Sequence, residues 1–300
     1  MDGWRASTID MGGPVHYVDS GGDGSPPMVL VHGLALSHAL WAGVAGALAG
    51  RRRVYLLDFV GHGLTPRAER TADLPNHLKV IDRFLAEVVR EPAILVGHST
   101  GGHLAVLEGA AAPDRVAGLV LVDAATPVPW SSLSLVLAHL ATLPLRLPGT
   151  GELITRSAIL KPEPEATMAA ILKSCTKHPE RIPAELVAAQ VEVTRSWLAG
   201  PDAQRSFLET VRSLYKENGR PARFYERAAA VRAPVLIVHG EADPLVPVEN
   251  GRRTAEAIPG ASLLVLAQMG HDLPRALWPE IVDAITETAR KADARVPATA

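Results

Sequence analysis

Unbroken apolar runs of four to seven residues recur along the first part of the chain. Met28-Val29-Leu30-Val31 ends at His32-Gly33, Val54-Tyr55-Leu56-Leu57 at Asp58, Ala93-Ile94-Leu95-Val96 at Gly97, and Val116 to Val122 at Asp123. Runs this short, with no polar alternation, predict strands covered on both faces, as in a parallel sheet. Between them the apolar positions follow a helical period. Leu40, Val44 and Leu48 form one face, with Ser37 as its N-cap. Leu78, Ile81, Leu85 and Val88 form a second, and Leu104 and Leu107 a third that Pro113 stops. Strand–helix alternation of this kind predicts an α/β sheet with helices on both faces. Upstream, Thr8 to Asp19 turns at Gly12-Gly13-Pro14 and predicts an antiparallel hairpin leading into the sheet.

The pattern changes after Asp123. From Pro127 to about Arg232 no strand is expected. Helical stretches there are separated by Pro148-Gly149, Pro162 and Pro164, Pro179 and Pro183, Gly200-Pro201 and Gly219-Arg220-Pro221. Strands resume at Val235 to Val238 and at Ser262 to Leu266. A last helix is expected from Trp278-Pro279-Glu280, with proline at its first position and Ile281 and Ile285 toward the sheet. The tail from Ala292 is expected to be loose. The predicted organisation is a core of residues 1–126 and 232–300, with residues 127–231 inserted as helices.

Composition narrows the function classes. With 47% apolar and 21% charged residues, the chain reads as an ordinary globular protein. A net charge of −2 gives no electrostatic case for nucleic acid or acidic membranes. The one cysteine, Cys175, forms no internal disulfide, which suits a reducing compartment. Met1-Asp2-Gly3-Trp4-Arg5 has no basic region followed by an apolar run, so no signal peptide is expected. The apolar stretch Leu133 to Leu147 is interrupted by His139, Pro144 and Arg146 and is too short to span a bilayer. The expectation is a cytoplasmic bacterial enzyme, the Ala-, Arg- and Pro-rich usage being compatible with a GC-rich genome.

Candidate chemistry centres on Gly97-His98-Ser99-Thr100-Gly101. A serine hydroxyl needs a base, an orienter for that base, and donors for the developing oxyanion. Ser99 falls between a buried strand and a helix start, and Gly97 and Gly101 permit the sharp turn that would raise its hydroxyl above the sheet. His271, in the loop between the last strand and the last helix, is the candidate base. Asp243, just past the strand Val235–Val238, is the candidate acid, with Glu241 and Asp123 as rivals. The backbone N–H groups of Leu34 and Thr100 are the candidate oxyanion donors. His32, His62 and His98 read as structural. None of these three is spaced from a carboxylate or Cys175 as a metal ligand would be, so no metal is expected.

Val31-His32-Gly33, Asp58-Phe59-Val60-Gly61-His62-Gly63, Gly97 to Gly102, Gly240 to Asp243 and Gly270-His271 occur in the order seen in the α/β-hydrolase superfamily, which the chain resembles over about residues 10–125 and 232–290. The resemblance implies an eight-stranded, mostly parallel sheet, a helical cap, and acyl-enzyme chemistry without a cofactor. Serine at position 99 separates the chain from the haloalkane dehalogenase and epoxide hydrolase branches, which place aspartate there. The run Gly270-His271-Asp272-Leu273-Pro274 is similar to some bacterial carboxylesterases, including methylesterases of polyketide tailoring. The expected partner is a small-molecule ester or lactone with an apolar part, touched by Trp130, Leu133 and Leu137 unless these form the core of the cap. A lactonase, C–C bond hydrolase or perhydrolase would use the same groups, and a lyase, a cofactor-free cyclase or a non-catalytic binding protein could share the fold.

Overall fold

A computed structural model describes residues 3–127 and 143–294. Eight strands form one sheet: β1 (Arg5–Asp10), β2 (Pro14–Asp19), β3 (Met28–Val31), β4 (Val54–Leu57), β5 (Ala93–His98), β6 (Val116–Val122), β7 (Val235–Gly240) and β8 (Ser262–Leu266). Their spatial order is β1-β2-β4-β3-β5-β6-β7-β8. The β1–β2 and β2–β4 pairs are antiparallel and the rest parallel. The expected eight-stranded, mostly parallel sheet is therefore present, and the predicted hairpin is β1–β2.

The helices are α1 (Ala42–Ala49), α2 (Leu74–Phe84), α3 (Thr100–Ala111), α4 (Thr150–Ile154) and α5 (Pro164–Cys175). They continue with α6 (Ala184–Ala199), α7 (Ala203–Asn218), α8 (Pro221–Ala229), α9 (Val248–Ala257) and α10 (Trp278–Asp293). Among the described residues, no helix is long and apolar enough to cross a membrane.

The unbroken apolar runs have a simple cause. Alternate residues of each central strand point to opposite faces, and both faces are covered. Val29, Val31, Leu95, Leu119, Leu121 and Ile237 join one buried cluster with residues of α2, α3 and α8. Leu30, Leu56, Ile94, Val96, Val120 and Val238 join another with residues of α1 and α10. Each fully buried side chain of this size stabilises the fold by about 1.5–3 kcal/mol relative to exposure.

Three local expectations change. The turn capped by Ser37 is first a 3-10 helix, His38–Trp41, and only then α1. Ala292 is not in a loose tail: it is buried at the end of α10, its methyl packed toward Gly118 of β6. Helix α8, within the segment expected to be inserted, packs in the core layer, with Phe224 and Ala228 in the same cluster as α3. The preceding helices make a separate cluster, in which Leu160, Met168, Ile171, Val191 and Phe207 close over Ala35 and Leu36. Buried polar contacts tie this layer down: Trp197 Nε1 donates to the Gly61 carbonyl at 2.6 Å, and Ser37 Oγ to Gln190 Oε1 at 2.9 Å.

Candidate active site

Strand register sets the site. Val31 pairs with Gly97, His98 with Val122, and Gly240 with Leu266. The residues leaving the carboxyl ends of β3, β5, β6, β7 and β8 therefore emerge along one edge, where open α/β sheets bind ligands. Leu34, Ser99, Asp123, Asp243 and His271 come from those five exits.

Ser99 occupies a backbone conformation rarely adopted by non-glycine residues, with φ +53° and ψ −117°. Such a residue costs roughly 1–3 kcal/mol and persists only where its surroundings hold it. Ser99 N donates to Val122 O at 2.9 Å, and Ser99 O accepts from His103 N at 3.1 Å and Ala125 N at 3.0 Å. The glycines let α3 approach closely. A Cβ on Gly97 would overlap the Gly101 carbonyl, and one on Gly101 would overlap the carbonyls of Val31 and His32. A Cβ on Gly33 would stand 3.0 Å from Ser99 Cβ, so the loop carrying Leu34 lies directly beside the serine. The N–H groups of Leu34 and Thr100 have no main-chain acceptor among the described residues. Thr100 also opens α3, where the helix dipole favours negative charge.

His271 donates from Nδ1 to Asp243 Oδ2 at 2.6 Å, the proton assigned there because a carboxylate only accepts. Asp243 Oδ1 accepts from the N–H groups of Leu245 and Val246, both at 2.8 Å. Glu241, a rival for this role, is exposed. The His271 ring lies 4.7 Å, centroid to centroid, from the ring of His98, the residue before Ser99. His271 N donates to the Cys175 carbonyl at 2.8 Å, which braces the histidine loop against the end of α5. Burial pushes the Cys175 thiol up to about 12, so it has little thiolate character at neutral pH.

Asp123 is the other rival. It is fully buried at the end of β6, with φ +46°. Its Oδ1 accepts from Gly240 N at 2.8 Å, while Oδ2 has no hydrogen-bond partner among the described residues. Burial, then the neighbouring Asp243 charge, raises its carboxyl well above the usual range. His239 lies between them, its Nε2 3.9 Å from Asp123 Oδ1 and 3.8 Å from Asp243 Oδ2. That nitrogen donates to the Val246 carbonyl at 2.9 Å, and burial keeps the ring neutral by lowering its pKa.

The remaining histidines are partly architectural. His32 holds its own loop: Nδ1 donates to Gly33 O at 2.7 Å, and Nε2 accepts from Phe59 N at 3.1 Å. The buried Asp58 carboxylate accepts from His16 Nδ1 and His38 Nδ1, both at 2.9 Å, and from the N–H groups of His38 and Leu64. Burial alone would raise this carboxyl, but the hydrogen bonds and charge of the histidines outweigh it and hold it well below its ordinary value. Sequence spacing could not show this shell, because His16, His38 and Asp58 come from separate elements. His16, His38 and Asp58 also bring one donor atom each within 4.8 Å, as do His98, Asp123 and His271, and Asp123, His239 and Asp243. In the first group an ion would have to displace both hydrogen bonds to Asp58. The other two groups contain the His271–Asp243 and His239–Val246 hydrogen bonds, and we assign none of the three as a metal site. Trp130, Leu133 and Leu137 lie outside the described residues.

The model of the alpha/beta hydrolase family matches residues 28–284. The chain is 28% identical over 263 residues to the dihydrolipoyllysine-residue acetyltransferase component of the acetoin cleaving system of Pseudomonas putida, covering 86% of this chain and 61% of that protein. It is 27% identical over 268 residues to the pimeloyl-[acyl-carrier protein] methyl ester esterase of Chromobacterium violaceum, covering 85% of this chain and 90% of the relative. It is 28% identical over 263 residues to the 2-hydroxy-6-oxononadienedioate/2-hydroxy-6-oxononatrienedioate hydrolase of Paraburkholderia phymatum, covering 86% and 84%. Among solved structures, a malate-bound esterase from Thermogutta terrifontis superposes with a TM-score of 0.69 at 20% identity, covering 96% of this chain and 99% of that one. That likeness concerns the fold.

Proposed function

Because the chain belongs to the alpha/beta hydrolase family, we propose that it is a serine hydrolase that cleaves a carboxylic ester of a fairly apolar small molecule through an acyl-enzyme on Ser99. The observation that carries this reading is the imidazole of His271, oriented by Asp243 at 2.6 Å, with its ring 4.7 Å from and tilted against that of His98, the residue preceding Ser99. His271 Nε2 takes the Ser99 proton as Oγ attacks the ester carbonyl. The oxyanion rests on the N–H groups of Leu34 and Thr100, each such donor contributing about 3–4 kcal/mol in the transition state. His271 returns the proton to the leaving alcohol, and water then resolves the acyl-enzyme by the same base. Asp243 fixes the tautomer and stabilises the imidazolium. No cofactor enters these steps.

The preference for an apolar substrate is supported by the layer over the site, where Leu160, Met168, Ile171 and Phe207 pack on Ala35 and Leu36 beside Leu34. The helical segment acts as a cap that shapes the pocket, and the partner is a small-molecule ester or lactone. The ester reading agrees with the methyl ester esterase among the relatives. The Paraburkholderia hydrolase supports a second reading, C–C bond hydrolysis with the same residues.

Fluorophosphonate labelling, together with a panel of p-nitrophenyl esters and lactones on wild type and Ser99→Ala, tests the proposal. The variant is expected to keep its fold and lose label and turnover by at least about a thousandfold. Undiminished turnover in Ser99→Ala would overturn the mechanism. A labelled protein inactive on every ester would point to another acyl donor, and an unlabelled one to a lyase or binding role.

A further inference from the structure

The loop that carries His271 is tied to the end of α5, where Cys175 is the last helical residue and Thr176 follows it. The main-chain N–H of His271 donates to Cys175 O at 2.8 Å. Asp272 Oδ1 accepts from Gly270 N at 2.9 Å, so its carboxyl folds back and closes the turn around the histidine. Thr176 stands against this turn: a Cβ on Gly270 would lie 2.8 Å from Cys175 O, 3.1 Å from Asp272 Oδ1 and 3.2 Å from Thr176 Cβ. Burial raises the Asp272 carboxyl, and hydrogen bonds from the Thr176 hydroxyl and Gly270 N pull against that rise. His178 N donates to Thr176 Oγ1 at 3.1 Å, which leaves the hydroxyl proton to point at Asp272. Arg181 Nη1 adds a bond to Gln268 O at 3.3 Å. Cys175, Thr176, His271 and Asp272 are all buried, where hydrogen bonds hold more firmly than in water.

Helix α5 is itself a firm support. Met168, Ile171 and Cys175, spaced along one face, are buried in the cluster that includes Ala35 and Leu36, the residues after Leu34. One helix end therefore supports the loop of the base and packs with the loop of an oxyanion donor. Asp243 holds the imidazole at Nδ1 by a single hydrogen bond, which sets the tautomer but leaves the ring a pivot. Keeping Nε2 at Ser99 Oγ also requires that the backbone carrying the ring be held. We propose that Asp272 and Thr176 form a clasp that holds it, making them positioning residues for the general base, with the end of α5 setting where His271 stands relative to Ser99. The assignment rests on reading His271 as that base. Neither residue touches substrate or moves a proton in the reaction. Opening the clasp loosens the turn at residues 270–272 and lets Nε2 drift, and a misplacement of about 1 Å costs on the order of a hundredfold. The loss falls on the chemical step and not on substrate binding.

The test uses Asp272→Ala, Asp272→Asn, Thr176→Val and Thr176→Ser in the full chain. The rate constant of fluorophosphonate labelling is measured per labelled site, with kcat and KM on p-nitrophenyl butyrate. Asp272→Ala is expected to lower the labelling rate and kcat about 10- to 100-fold, with KM within about twofold of wild type. Thr176→Val, which removes one buried hydroxyl, should lower them about 3- to 10-fold. Thr176→Ser keeps the hydroxyl and should recover that loss. Asp272→Asn keeps an acceptor for Gly270 N without the charge, and should run at least about threefold faster than Asp272→Ala. A merely structural role would lower Tm and the fraction of sites labelled, and leave the rate per site unchanged. The low-field proton NMR signal of His271 Nδ1–H, assigned by its loss in His271→Gln, should shift and broaden in Thr176→Val and return in Thr176→Ser. This readout needs neither turnover nor a folded Asp272→Ala. An unchanged signal in Thr176→Val, with rates per site within about twofold of wild type, would overturn the proposal. Equal losses in Asp272→Asn and Asp272→Ala would also overturn it, by assigning the effect to charge. A wild type that takes no label while the NMR signal responds as expected would sink the serine-hydrolase reading and support the clasp.

Discussion

Adding one methyl group at Gly33 should damage catalysis more than folding. The Cβ of Gly33→Ala would lie 2.8 Å from His98 Nδ1 and 3.0 Å from Ser99 Cβ. Neither neighbour has room to retreat: His98 is fully buried, and Ser99 is pinned in its turn by three main-chain hydrogen bonds. To reach ordinary contact, the loop or the serine must shift by roughly half an ångström, the tolerance within which a catalytic constellation has to be held. That shift moves the Leu34 N–H relative to Ser99 Oγ. A misplacement of about 1 Å costs on the order of a hundredfold, so kcat/KM should fall about 10- to 100-fold, or about 1.4–2.7 kcal/mol. Overpacking should lower stability by about 1–3 kcal/mol. The assay is kcat/KM on p-nitrophenyl butyrate with the rate of fluorophosphonate labelling, alongside a thermal melt. Gly46→Ala in α1 is the control, since a Cβ there meets nothing within 4 Å among the described residues. It should retain full activity and gain up to about 1 kcal/mol in stability. Activity of Gly33→Ala within twofold of wild type, or an equal loss in Gly46→Ala, would refute the reasoning.

Asp58→Asn should destabilise by about 3–5 kcal/mol, because it leaves a buried donor shell facing an amide; a drop in Tm on the order of 10 °C is expected. The Asp58 carboxyl is held below its unfolded value, so its stabilisation is present above about pH 4 and is lost as pH falls further. Acid melts of wild type should therefore decline more steeply than those of the variant, and parallel curves would contradict this account. Glu108 behaves oppositely: burial, then the Asp82 charge, raises its carboxyl to about 8 from 4.5. The folded state then holds a proton that the unfolded chain has released, so stability falls as pH rises between those values. Glu108→Gln should be more stable than wild type at pH 9, with the difference shrinking toward pH 5; a difference independent of pH would count against it.

Much of the fold was legible because burial on both faces writes itself into the chain as unbroken apolar runs. Met28–Val31, Val54–Leu57 and Val116–Val122 are buried strands with the bounds the pattern gave, and the partly exposed edge strand Ser262–Leu266 also has its expected bounds. His98 and Gly240 were missed as strand ends, since a polar or small residue looks like the start of a loop even while its backbone still pairs. Helix α8 read like its neighbours, because an amphipathic stripe does not say which surface it covers. Ala292 looked like tail because its flanking residues are polar, whereas the face it shares with Ile281, Ile285 and Ala289 is buried.

At the candidate site the division is sharper. Ser99, with glycines two positions to either side between a strand and a helix, is a local feature. A turn this tight imposes its residue types on contiguous positions, so sequence alone determined it, together with the order of serine, aspartate and histidine. The choice among Asp123, Glu241 and Asp243 as partner of His271 was not local. It depends on the register of β6, β7 and β8 and on which carboxylate gathers main-chain donors, so only the tertiary structure brought Asp243 to 2.6 Å from His271. The same holds for Asp123: its burial, its unpartnered oxygen and its place beside Asp243 arise from three strands distant in sequence, because electrostatics in a dry interior follow distance in space and not separation along the chain.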